Sequence, residues 1–167
     1  MEVRRIDFAE VISNLMQRDL YLRWLRLHRD AGRIPCLGDF WKQDIGRHHN
    51  SLVVSEIDRN ARRLSPRFRG DNITVLAGLL DESSAVHVGH DTPSTHRDLI
   101  ATIDLYQAPL LAYLAMGTAA GRSLTIVSLV LPLRHKGPDI DLIAQAQVPD
   151  VSGMDLGELV ASIDAAA

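Results

Sequence analysis

The chain contains 167 residues, of which 46% are hydrophobic and 23% are charged, and its net charge at pH 7 is −3. This length predicts one domain with its own core, and the slightly acidic balance leaves no electrostatic footprint for nucleic acid. The single cysteine, Cys36, excludes an internal disulfide framework. No apolar run approaches the ~20 residues of a membrane span, and the charged N-terminus lacks the apolar stretch of a signal peptide. We therefore expect a cytoplasmic protein without a membrane span.

The first predicted element is a helical extension assigned to residues 1–32. Apolar residues recur at helical spacing over Asp7–Asp30, but the stripe changes phase midway, which predicts a kink or two helices that meet near Gln17. Gly32 and Pro35 end the helix. The first part of the stripe packs either on its own sheet or on a second copy of the chain, and the sequence leaves both open. Its residues are Phe8, Val11, Ile12 and Leu15.

Strand signals follow an irregular stretch that ends at Asn50, within which Asp39 is placed to cap a short helical turn. Ser51–Ile57 is rich in β-formers, and Arg59–Arg69 is a basic, weakly alternating run, so the two segments predict a hairpin. Because proline cannot donate to a sheet ladder, Pro66 places the second strand at an edge or beside a bulge.

Two helices are predicted between this hairpin and the remaining strands. The first is short and apolar and covers residues 72–80. The second runs over His96–Gln107, with Ser94 or Thr95 as its N-cap, and Pro109 stops it. The apolar residues that fall on one face of the second helix are Leu99, Ile100, Ile103 and Tyr106.

Three strand-like runs complete the core. They are Pro109–Met116, Ser123–Arg134 and Ile140–Val148. The middle run is apolar on both faces, which is typical of a central strand. One of its faces carries Leu124, Ile126, Ser128, Val130 and Pro132, and the other carries Thr125, Val127, Leu129, Leu131 and Leu133.

The order of these elements predicts an α+β fold with a five-stranded antiparallel sheet, helices on one face of it, and flanking helices at both ends. The core domain is assigned to residues 33–149. A helix over Met154–Ala167 is expected in the C-terminal segment, residues 150–167.

Three segments in this order resemble a bacterial family of stand-alone, single-domain PAS proteins. The first leads from an aromatic-rich helix into the first strand, the second is the strand-to-helix turn around Gly70, and the third is a final hairpin with an L-P-L signature. The resemblance covers residues 20–149. The residues that carry the first and third segments are Trp24, Gly32-Arg33-Ile34-Pro35, Asp39, Asp44-Ile45, Leu52–Ile57 and Leu131-Pro132-Leu133.

The resemblance implies a PAS-like sheet with helices inserted between its second and third strands, and a non-enzymatic sensory or regulatory domain. Such domains bind a small molecule between sheet and helices, bind other proteins, or dimerise through flanking helices. We expect an apolar or amphipathic ligand of unknown identity, a signalling partner reached in trans, and a homodimer. The expected ligand-binding residues are Leu99, Ile103, Tyr106, Tyr113, Val127 and Leu129.

A ligand-free interaction or dimerisation module is the alternative interpretation. In an extended strand, most arginines of the second strand share one side and form a basic stripe that suits an acidic partner. A solvated edge whose charges prevent aggregation is the simpler explanation of the same pattern. A preformed cavity of several hundred cubic ångströms would separate the two interpretations. The expected partner-binding residues are Arg59, Arg63, Arg67, Phe8, Val11, Ile12 and Leu15.

Few other side chains indicate chemistry. His87, His90 and His96 lie in or beside a polar loop over residues 81–93 and are candidates for metal or axial haem ligands, although solvated loop residues explain them more simply. Cys36 lacks the helical context of a flavin-adduct cysteine and fits a small buried thiol. The carboxylate pairs fall in predicted turns. The sequence therefore predicts no catalytic residues, no metal site and no defined cofactor.

Overall fold

The five strands form one antiparallel sheet with the spatial order β2-β1-β5-β4-β3. The computed structural model describes residues 8–80 and 93–150. A hairpin (β1–β2) and a meander (β3–β4–β5) join where β1 pairs with β5, so β4 lies inside the sheet. The prediction of a central strand is confirmed. The strands are β1 (Leu52–Asp58), β2 (Arg63–Arg69), β3 (Leu110–Gly117), β4 (Ser123–Leu133) and β5 (Leu142–Pro149).

Five α-helices and one 3₁₀ segment accompany the sheet within the described residues. The short turn near Asp39 begins earlier than predicted, because Cys36 supplies the extended N-cap backbone and Asp39 lies inside the helix. The predicted helix Met154–Ala167 lies outside the described residues, as does the predicted loop over residues 81–93 except for Pro93, which begins a helix. The helices are α1 (Phe8–Val11), α2 (Leu15–Ala31), α3 (Leu37–Phe40), α4 (Asp71–Leu79) and α5 (Pro93–Tyr106), and the 3₁₀ segment is Gln43–Ser51.

The N-terminal extension is two helices rather than one kinked helix. The break falls just before Leu15, where Asn14 caps α2 by accepting a hydrogen bond from Gln17 N at 3.1 Å. This break lies slightly before the predicted position because the capping side chain, and not the phase of the stripe, sets the first residue of a helix. Gly32 ends α2 in the left-handed region, with φ of 63°, as the sequence predicts.

The β1–β2 hairpin is irregular, as Pro66 predicts. Its register shifts between Val54 and Ser55, so that Arg67 is the extra residue of a bulge on the edge strand β2. Past the end of β2, Gly70 donates its amide to Leu52 O at 2.9 Å. A Cβ atom at Gly70 would overlap the backbone of residues 49 and 50, so only glycine fits this turn.

Helix α2 is fastened to the sheet by two buried side chains. Gln17 Nε2 donates to the carbonyl oxygens of Val127, at 3.0 Å, and of Ala146, at 2.8 Å. Trp24 Nε1 donates to Pro132 O at 2.7 Å. Helix α2 therefore packs on its own sheet.

The sheet face below α2, called the α2 face, is closely packed at its centre. Leu129, Leu131 and Leu133 alternate along β4 and have no exposed surface. On the neighbouring strand β5, Ala144 and Ala146 are equally buried, and their small side chains let α2 lie close to the sheet. Buried leucines and short alanines together close the centre of this face.

The opposite side, called the α5 face, carries α4 and α5, the two helices inserted between β2 and β3. Ile73 and Leu76 of α4 form a compact cluster over one end of the sheet. Ile100 and Ile103 of α5 are buried over the other part. Helices thus cover both faces once the N-terminal extension is included. Within the described ranges, no helix has the length and apolar character to cross a membrane.

Candidate functional site

A cavity of about 570 Å³ lies on the α5 face, between helix α5, the sheet and helix α1. Binding cavities for small molecules measure roughly 300–1,000 Å³, so this volume is in the range that holds a small organic ligand. The cavity is mostly apolar. Its floor comprises Ser55, Leu110, Ala112, Leu114, Ser128, Val130 and Gln145, and its walls comprise Phe8, Val11, Leu64, Pro66, Leu99, Thr102, Pro109, Leu111 and Tyr113, with His96 and Asp98 beside them.

Three neutral polar residues cross the apolar floor in a row. Gln145 on β5 pairs with Val130 on β4, so Ser128 is its diagonal neighbour on the same face. In the same way, Gln145 pairs with Val53 on β1, which makes Ser55 its diagonal neighbour on the other side. The row therefore runs Ser55, Gln145, Ser128 over three adjacent central strands.

Ser128 is the least satisfied member of this row. Its side chain is 1% exposed, and its Oγ atom has no hydrogen-bond partner among the described residues. Gln147, which lies directly opposite Ser128 on β5, has an equally unpartnered Oε1. A buried polar atom without a partner costs about 1–3 kcal/mol. The floor of the cavity thus offers hydrogen-bonding capacity that the described protein does not use.

The charged groups of the cavity lie at its edge. Among the described lining residues there is no lysine or arginine, and the one carboxylate is the exposed Asp98. His96, near the start of α5, accepts a hydrogen bond at Nδ1 from Leu64 N at 3.2 Å and so ties the helix to β2. The interior is therefore neutral and apolar, with polarity concentrated on the floor.

Only two of the six expected ligand-binding residues line the cavity. Leu99 and Tyr113 do so. Ile103 is fully buried in the core, and Tyr106 is 65% exposed at the end of α5. Both therefore lie away from the cavity wall.

The assignment of Val127 and Leu129 to the cavity is wrong, because both side chains point to the α2 face. The alternation of β4 separates two sets of side chains, but it does not indicate which set faces the inserted helices. The cavity is bordered by the set that contains Ser128 and Val130. In the sequence, Ser128 is the one polar residue on an otherwise apolar face of the predicted central strand. This interruption is the signal that could have identified the floor of the cavity.

The expected basic stripe is divided and neutralised. Arg59 lies in the hairpin turn instead of in β2, and its guanidinium bonds to Asp104 on α5 at 2.7 Å and to Ile140 O at 2.6 Å. The side-chain hydrogen bond with Asp104 raises the pKa of Arg59, and the nearby negative charges add to it while burial opposes it.

Two of the three arginines within β2 also have acidic neighbours. Arg67, on the bulge, pairs with Glu56 of β1. Arg63 lies 3.8 Å from a carboxylate oxygen of Asp58. The stripe was predicted from the alternation of side chains along a regular strand, and the bulge interrupts that alternation. These arginines therefore do not form one continuous basic surface.

The predicted N-terminal stripe is divided between core and surface. Ile12 is fully buried, and the ring of Phe8 packs edge-on against Tyr21 with 5.0 Å between ring centroids. Val11 and Leu15 are 47% and 71% exposed. The break between α1 and α2 turns these residues in different directions.

The remaining candidates lie apart from the cavity or outside the described residues. His87 and His90 are in the range that the structure does not describe. Cys36 is half-buried beside Arg134, next to the start of α3, and does not line the cavity. The described residues contain no group of three histidine, cysteine or acidic side chains arranged to hold a metal ion.

A comparison of the sequence with protein-family models finds no matching family, and a comparison with curated proteins finds no matching relative. The function of the chain is therefore inferred from the geometry of the cavity.

Proposed function

We propose that this chain is a cytoplasmic, non-enzymatic, PAS-like sensory domain that binds a small apolar or amphipathic molecule and signals to a partner protein in trans. The cavity of about 570 Å³ with an unpartnered Ser128 hydroxyl on its floor is the observation that carries this proposal. The antiparallel five-stranded sheet, with α4 and α5 inserted between its second and third strands, supports the PAS-like assignment.

The position of α1 suggests how occupancy is transmitted. Phe8 and Val11 belong to the N-terminal extension and also line the cavity. Helix α1 contacts α2 through the rings of Phe8 and Tyr21, and the guanidinium of Arg18 donates to Ile12 O, just after α1, at 2.8 Å. A ligand that contacts α1 therefore biases the arrangement of the extension, which is the part of the chain that precedes the core.

Native mass spectrometry of the freshly purified protein tests the proposal, together with its absorption spectrum. We expect a retained small molecule in the wild-type protein, or binding of an added apolar probe, and loss of both in Ala112→Phe, whose ring fills the cavity from β3. Ala115→Phe is the matched control, because Ala115 is exposed on the same strand. Equal binding by both variants, or no binding by the wild-type protein, would remove the proposal.

Self-association is a second candidate function, favoured by exposed leucines on α2. Leu15 and Leu22 are 71% and 46% exposed and lie seven residues apart, the spacing of a helix–helix seam. A second copy of the chain presents the same spacing and is the proposed occupant. We expect Leu15→Lys to shift a dimer to monomer in light scattering, whereas Val75→Lys, on the exposed surface of α4, leaves the mass unchanged. A wild-type monomer at high concentration would contradict this.

A further inference from the structure

We infer that the cavity selects molecules with an uncharged hydrogen-bonding head group, an alcohol or a carbonyl, and that this head is bound by Ser128 and Gln145 on the sheet floor. This inference rests on the proposed function, because it names the chemical class of the ligand that the cavity binds.

The position of the head group follows from the partners that the floor provides. Ser128 Oγ is buried and unpartnered within the described structure, and it can both donate and accept a hydrogen bond. Gln145, its diagonal neighbour on β5, lines the same cavity and carries an amide with both capacities. An alcohol or a carbonyl oxygen placed between them satisfies the hydroxyl that the protein leaves free.

The inference that the ligand is uncharged follows from the residues that line the cavity. No lysine or arginine is present among the described lining residues, so a carboxylate or phosphate at the floor would lose its hydration without gaining a counter-ion. Asp98 at the exposed edge adds repulsion for an anion. It lies on α5 and not on the floor, so an ammonium group at Ser128 would also lack a counter-ion.

The direction of the ligand's hydrocarbon chain follows from the apolar residues that line the cavity. Leu110, Val130 and Leu99 surround the polar row with hydrocarbon. Phe8 and Tyr113 extend the wall toward α1 and the edge strand β3, and Tyr113 is 60% exposed. A ligand whose head lies at Ser128 therefore directs its hydrocarbon toward α1, the helix that couples the cavity to the N-terminal extension.

Isothermal titration calorimetry with four eight-carbon probes tests this inference at about pH 8, where the acid and the amine are ionised. The probes are 1-octanol, 2-octanone, octanoate and octylammonium. We expect the two neutral probes to bind more than about tenfold tighter than either ion, because only the ions lose charge hydration on entering the cavity.

Two serine variants locate the head group. In Ser128→Ala, the affinity for 1-octanol falls by about two- to tenfold, the value of one neutral hydrogen bond. Ser65→Ala is the matched control, because Ser65 lies on β2 between the cavity-lining Leu64 and Pro66 and points to the other side. It leaves the affinity unchanged.

The outcomes separate this inference from the proposed function. Octanoate or octylammonium binding as tightly as 1-octanol would overturn the uncharged head group, and an unchanged affinity in Ser128→Ala would overturn its position. In both cases the cavity remains a ligand site. If none of the four probes binds the wild-type protein, the proposed function itself fails, and the inference fails with it.

Discussion

The two faces of the sheet are both apolar in sequence, yet the centre of one is closely packed and the other borders a cavity. On the α2 face, Leu129, Leu131 and Leu133 are fully buried beneath a helix that reaches the sheet through Gln17. On the α5 face, the alternate residues of the same strand, Ser128 and Val130, border a cavity of about 570 Å³.

The difference lies in how each helix is attached. Gln17 and Trp24 hold α2 over the centre of the sheet through buried hydrogen bonds. Helix α5 is tied at the border instead, by His96 to the backbone of β2 and by Asp104 to the hairpin turn. Below α5, Ile100 and Ile103 fill only part of the space, and the cavity lies beside them. The comparison shows that the two faces of one strand are packed differently.

The largest expected effect comes from truncating one leucine on each face. Leu131→Ala on the α2 face lowers the free energy of unfolding by about 2–5 kcal/mol, because it opens a void in a filled core. Leu110→Ala, at the half-buried cavity floor, lowers the free energy of unfolding by less than about 2 kcal/mol, because the side chain of Leu110 is only partly buried in the folded protein. Urea unfolding of both variants measures the two values. Equal losses would show that the faces are packed alike.

The next effect tests the attachment of α2. Gln17→Met keeps the length of the side chain but removes the amide that donates to Val127 O and Ala146 O. The expected loss is about 1–3 kcal/mol, because the donor disappears from a buried position. Thermal and urea unfolding measure it. The control is Gln107→Met at the exposed end of α5, which leaves stability within about 0.5 kcal/mol. A neutral Gln17→Met would mean that packing alone holds α2.

The smallest effect comes from the attachment of α5 at the hairpin. The side chains of Arg59 and Asp104 are each 42% exposed, so Asp104→Asn costs less than about 1 kcal/mol, and added salt reduces this cost. Asp98→Asn, at another exposed position of α5, is the control.

The pH dependence of this pair also has a defined sign. The hydrogen bond with Asp104 raises the pKa of Arg59 in the folded protein. Its contribution is therefore fully present below the pKa of arginine in the unfolded chain and is lost only as the pH rises through the higher folded value. The difference in the free energy of unfolding between the wild-type protein and Asp104→Asn should therefore be the same at about pH 7 and at about pH 10. A difference that shrinks over this range would contradict the assignment.

Local signals predicted the elements well. Gly32 at the end of α2, Pro66 at the bulge and Gly70 at the turn all act within a few residues of their positions in the chain, whereas the Asn14 cap of α2 was missed. Prediction of the cavity was weaker. The alternation along β4 separated two sets of residues, and the assignment of Val127 and Leu129 to the cavity was wrong. Local periodicity contains no information about which helix covers which face of the sheet.

The basic stripe shows the same limit. Its arginines were visible in the sequence, but the partner of Arg59 was not, since Asp104 lies 45 positions away along the chain. Ion pairs between distant segments depend on the register of strands and the placement of helices. Neither can be obtained from the spacing of charges within one segment.

The sequence by itself determined the kind and order of the elements in the described residues, because caps, turns and hydrophobic periodicity are local physical properties. Only the tertiary structure decided which face of β4 would be filled and which would border the cavity. That outcome depends on where α2 and α5 are attached. Gln17 bonds to strand carbonyls more than 100 positions away, and Ser128 lies unpartnered although Gln147 is its direct neighbour on β5.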